Sequence, residues 1–127
     1  MSSIFVEDND MVDVVVCYKI EDGILVILDG DQPEAGQQSL TVKFTRPNWA
    51  ISQKLLQSST YTGPNGEPEI NLMQMQSNLL YALAKSWDAK DKDNKPIELN
   101  NASISKLRVE IAKTLISKLI GKMGAIF

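Results

Sequence analysis

Histidine is missing from this chain of 127 residues, and cysteine occurs once. Without an imidazole there is no Ser-His-Asp triad and no histidine base, and one thiol alone cannot furnish a tetrahedral zinc site. Zinc and haem-type chemistry are excluded on composition. The lone Cys17 also rules out an internal disulfide framework. It lies within an apolar run, where a thiol behaves as a small buried hydrophobe rather than as a nucleophile. Long hydrophobic stretches are absent too: Val14 to Tyr18 and Ile24 to Leu28 fall far short of the roughly 20 residues that span a bilayer. No basic start followed by an apolar segment marks a signal peptide, so the expected compartment is the cytoplasm. Neither glycine-rich phosphate loop, G-x-x-x-x-G-K-S/T or G-x-G-x-x-G, is present; Gly30, Gly36, Gly63 and Gly66 stand at turn spacing instead. No cofactor, no metal and no catalytic group are expected.

Positive charge is outnumbered, 13 basic against 16 acidic residues, a net −3, and it is unevenly placed. Residues 1 to 34 carry nine acids against Lys19, a net −8, whereas residues 103 to 127 carry five bases against Glu110, a net +4. Such polarity lets the two ends attract each other within one fold, or orients protomers in a homo-oligomer. An acidic chain with no long basic stripe is a poor match for a phosphate backbone, so nucleic acid is not an expected partner.

What is present suits one domain spanning 1 to 127, since a chain of this size buries roughly two thirds of the surface its unfolded form exposes. A β portion covers 1 to 46 and a helical portion 47 to 127. Met11 to Ile20 and Ile24 to Leu28 are β-branched apolar runs joined through Glu21-Asp22-Gly23, a strong hairpin signal because both central residues of the tight turn need positive φ. Leu40 to Thr45 alternates apolar and polar, as a half-buried strand does. Pro47 opens a short helix to about Ser58. The turn formers between 60 and 68 form an internal linker. A second helix is expected from about Glu69 to Trp87, and a third from Ser103, its N-cap, to Lys122. The expected fold is therefore α+β: a small antiparallel sheet of a hairpin plus one strand, followed by three helices, the last two an antiparallel pair. The hairpin is apolar on both faces and needs cover from helices or from another subunit.

Two acidic loops, Asp29-x-Asp31 with Glu34 and Asp88 with Asp91 and Asp93, offer oxygen ligands of the kind hard cations prefer. Pro33 in the first and Lys95 at the fifth position of the second depart from the calcium-loop template, and solvated turns are the simpler reading. Asn94 suits a left-handed turn position better than other non-glycine residues do.

The segment Trp87-Asp88, an Asp-rich turn and Lys95-Pro96-Ile97 stands before the closing helix, and a strand ends upstream in Phe44-x-Arg46-Pro47. With this order of parts, residues 40 to 120 resemble the small tail assembly chaperones of tailed bacteriophages. This chain has Asn94 where glycine is common in that turn. The resemblance implies a non-catalytic protein in the host cytoplasm that binds the tape measure protein and recruits tail tube subunits during tail morphogenesis. Adaptable methionines and a broad apolar helical face suit such a partner. The candidate contact residues are Met73, Met75, Trp87, Leu107, Ile111, Leu115, Leu119 and Met123, although the same stripe would also serve as core. Two alternatives stay open: a small structural virion subunit of baseplate, neck or tail completion, and an acidic phage inhibitor of a host enzyme.

Overall fold

A computed structural model describes residues 4 to 124. The element order is β1 (Met11–Glu21), β2 (Ile24–Leu28), β3 (Gln38–Thr45), α1 (Trp49–Ser58), β4 (Thr60–Thr62), β5 (Pro68–Ile70), α2 (Leu72–Leu83), β6 (Ala84–Trp87), α3 (Asn101–Ser105) and α4 (Val109–Met123). It is an α+β arrangement, with one antiparallel sheet in the order β2-β1-β3-β6 and a small β4-β5 pair. No helix among the described residues is long and apolar enough to cross a membrane.

The first hairpin forms as its turn sequence requires. Asp22 and Gly23 have φ of 52° and 79°, the pair of left-handed residues whose twist matches that of the flanking strands. On β1, Val12, Val14 and Val16 lie opposite Phe44, Val42 and Leu40 of β3, and all six are buried. This is the inner face, and α4 packs on it while α2 packs on α4 and β6. Leu79, Leu80 and Leu83 of α2 and Ile111, Leu115, Ile116, Leu119 and Met123 of α4 close the core, joined by Leu55 and Ile104. Each such side chain contributes about 1.5–3 kcal/mol of burial before the entropy of ordering is set against it. The opposite face carries Lys43 and Thr45 but also the exposed Ile24 and Val26, so the helices cover only one side of the doubly apolar hairpin.

The charge polarity is resolved within the fold. Arg108, Lys118 and Lys122 of the basic end reach the acidic first hairpin, where they donate to the backbone oxygens of Gly23, Val15 and Asp13 at 3.0, 2.7 and 2.7 Å. Lys118 also stands 3.5 Å from Asp31.

Four expectations are corrected. The helix expected to reach Trp87 ends at Leu83, and Ala84–Trp87 becomes a fourth strand paired with β3. Pairing satisfies backbone groups along the exposed side of β3, and this outweighs the helical preference of Ala84 and Lys85. The helix expected over 103 to 122 is two. Asn100 caps α3 and forms a reciprocal pair with Ser103, so Ser103 is the third residue of that helix rather than its cap. The chain then bends at Lys106 to Arg108, where Arg108 is extended, before α4 begins. The linker at 60 to 68 folds into the β4-β5 hairpin. Finally, α1 starts after Asn48, whose side chain accepts from the Ile51 N–H, so Pro47 precedes the helix instead of opening it.

Candidate partner-binding cleft

The inner face of the sheet is fully covered only over part of its length. Toward the Asp22-Gly23 turn it opens into a cleft of about 640 Å³, within the range of ligand pockets. Its floor is made by Tyr18, Ile20, Leu25 and Leu40 from the strands, one wall by Trp87 to Ile97, and the other by Leu107, Arg108 and Ile111.

Each wall is held by bonds that local sequence accounts for. Trp87 lies opposite Val42, while the register between β3 and β6 shifts at Lys43/Phe44, an irregularity that places the indole on the inner face. Its Nε1–H donates to Ile97 O at 2.6 Å and ties the two ends of the loop together. Between them the chain doubles back. Lys90 bridges to Pro96, the Asn94 N–H bonds Asp91 O at 3.0 Å, and Asn94 has φ of 63°. The left-handed residue expected in that turn is therefore in place. Asp91 Oδ1 accepts from the Asp93 and Lys95 N–H groups at 2.8 and 3.0 Å, and Asp88 Oδ1 accepts from the Thr41 N–H at 2.8 Å. The Asp88 and Asp91 carboxylates are thus engaged by backbone donors that fix the wall to itself and to β3. Among the described residues no three acidic or thiol side chains converge on a point that could hold a metal ion.

The opposite wall is set by the bend between α3 and α4. The reciprocal Asn100–Ser103 cap, 2.9 Å in both directions, fixes the start of α3, and Arg108 Nη1 donates to Gly23 O at 3.0 Å, tying the bend to the hairpin turn. Leu107 is half-buried between these anchors and faces the cleft. Burial of the Tyr18 phenol, and secondly the negative charge of Asp88, raise its pKa above the ordinary tyrosine value, so the neutral hydroxyl is favoured there. The cleft presents an apolar floor with a phenol and an indole, and Lys90, Lys106 and Arg108 stand around it.

The eight residues expected to contact a partner separate into three groups. Trp87, Leu107 and Ile111 come together on the cleft. Leu115, Leu119 and Met123 are core, at 0%, 0% and 7% exposure, because this part of the α4 stripe is used against β1 and α2. Met73 is 80% exposed and Met75 half-buried on the first turns of α2, neither of them on the cleft. Tyr18, Ile20, Leu25 and Arg108 were not singled out by sequence. For the three strand residues the one available signal was the hairpin itself, whose apolar residues exceed what a small sheet facing solvent would carry. Comparison with protein-family models, with curated proteins and with solved structures finds no match.

Proposed function

We propose that this chain is a non-catalytic assembly chaperone of a tailed bacteriophage, holding an amphipathic helical segment of the tape measure protein during tail morphogenesis. The observation that carries the reading is the incomplete cover of the sheet's inner face. Ile20 is 44% and Ile97 37% exposed beside a Trp87 that is only half-buried, so apolar surface stays open in a concave site. A concave apolar site with an aromatic anchor fits the helix-in-groove mode, in which side chains three and four residues apart enter together. The resemblance of residues 40 to 120 to tail assembly chaperones, through Phe44-x-Arg46-Pro47 and Trp87-Asp88 to Ile97, names the partner. The cleft's loop carboxylates are engaged with backbone donors, which suits a binding wall better than a reactive one.

Coexpression with the tape measure protein of the same phage tests this. The native chain keeps that protein soluble and copurifies with it. Ile20→Glu, which places a charge on the cleft floor at a partly exposed position, abolishes copurification while leaving the chain folded. A chain that neither associates with nor solubilises its tape measure protein sinks the proposal, as does its recovery from finished virions at a fixed copy number.

A further inference from the structure

The free side of the four-stranded sheet is treated in two different ways. β1 runs on past β2, and from Met11 to Val16 no strand lies beside it on that side among the described residues. Along this stretch α4 supplies a cover. Lys118 Nζ donates to Val15 O and Lys122 Nζ to Asp13 O, each at 2.7 Å. Lysine is a common means of closing a strand edge to further pairing. β2 has no such guard. Its two-residue turn makes Glu21 and Ile24 a hydrogen-bonded pair, so Val26 and Leu28 also aim their backbone groups at β1 while Leu25 and Ile27 aim theirs outward. Among the described residues no hydrogen bond reaches those outward groups.

We propose that the outer edge of β2 takes up an extended segment of a partner protein by strand addition, a segment apolar at alternate positions and flanked by lysine or arginine. The strand Ile24-Leu25-Val26-Ile27-Leu28 contains no charge, proline or glycine, the features that ordinarily blunt an edge. On the outer face Ile24 is 67% and Val26 37% exposed, and a neighbouring strand would cover both. Charge decides which strand. Residues 21 to 34 hold Glu21, Asp22, Asp29, Asp31 and Glu34 with no base among them. Lys19 meets Glu21 at 2.9 Å and Lys118 meets Asp31 at 3.5 Å, which leaves Asp22, Asp29 and Glu34 without an ion pair among the described residues. A second copy of the chain is the wrong occupant. Antiparallel self-pairing centred on Val26 would set Asp29 of each copy opposite Gly23 of the other, which brings Asp22 and Asp29 of the two copies together at both ends, and like charges across a ladder destabilise it. Basic flanks turn that repulsion into attraction. The edge is independent of the cleft, which opens on the inner face, so either can fail without the other.

The probe is the synthetic peptide Lys-Lys-Thr-Val-Thr-Val-Thr-Val-Lys-Lys, added to the full chain at millimolar concentration while backbone amide exchange is followed by NMR. Exchange at Leu25 and Ile27 slows by at least about tenfold, as for an amide newly placed in a ladder. The same peptide N-methylated on alternate residues, or carrying glutamate in place of lysine, gives no slowing. Val26→Lys, a change at an exposed position, weakens the effect of the basic peptide. No protection at Leu25 and Ile27, equal protection by the glutamate peptide, or protection arising from self-association without peptide each overturn the proposal; all three are read on the native chain and need no variant to fold.

Discussion

Two halves of one sheet face, built from the same strands with the same alternation, end in different states. In one half Val12, Val14, Val16, Val42 and Phe44 are sealed beneath α2 and α4, with exposures from 0% to 7%. In the other, Tyr18, Ile20 and Leu25 form the floor of a cleft, and Ile20 keeps 44% of its surface. The apolar content of the strands is similar in both, so the difference lies in what covers them. α4 begins only after the bend at Lys106 to Arg108, and the Trp87 to Ile97 loop stands as a wall beside the floor. Hydrophobic alternation thus identifies a face that wants cover, and the lengths and bends of the covering elements decide how much cover it receives.

That contrast can be broken most strongly at its sealed end. Phe44→Ala should cost about 3–5 kcal/mol in denaturant unfolding, the cost of emptying a buried aromatic site, whereas Ile20→Ala should stay within about 0.5 kcal/mol. Equal costs at the two positions would show that the cleft floor is as structural as the core. The next effect concerns the wall. Asn94 sits at φ of 63°, so Asn94→Val should destabilise by about 1–2 kcal/mol, and Asn94→Gly should be neutral or slightly stabilising, both read from unfolding midpoints. Asp91→Ala removes the acceptor for two backbone N–H groups and should cost about 1 kcal/mol, with hydrogen exchange accelerated at Asp93 and Lys95 but not in β1.

The smallest effect is a titration. The neutral Tyr18 phenol is favoured in the folded chain, so its folded pKa lies above the unfolded value. Its contribution to stability is therefore complete below the unfolded pKa and is lost as pH rises through the folded one. Tyr18→Phe should remove that part of the alkaline destabilisation. Asp88→Asn should lower the Tyr18 pKa only partway in an ultraviolet difference titration, because burial is the larger cause and the Asp88 charge the smaller.

Much of the sheet and the turn within one cleft wall were legible in the sequence. The Asp22-Gly23 turn, the alternation of Leu40, Val42 and Phe44, and the left-handed Asn94 each follow from a local rule, and all are found where those rules put them. β6 was not legible, because Ala84 and Lys85 continue a helical stripe and become a strand only through the neighbouring edge of β3. The same holds for the bend before α4. Ser103 reads locally as a cap, yet Asn100 takes that role and the helix begins earlier. The cleft was the least visible feature, since Tyr18, Ile97 and Arg108 meet only through the tertiary fold. Trp87 was legible as a marker, and its placement opposite Val42 puts it on the inner face as part of the cleft wall.

The central claim is that the open half of the inner face receives the tape measure protein. The chain has two tryptophans, Trp49 and Trp87, and Trp49 is 75% exposed on α1. In a Trp49→Phe variant the emission therefore reports Trp87 alone. Titration with the tape measure protein should shift that emission to shorter wavelength and saturate at a fixed ratio, as expected when a half-buried indole loses its remaining water to an apolar partner. Complex formation with the Trp87 emission unchanged would contradict the account, because it would place the partner on some other surface of the molecule.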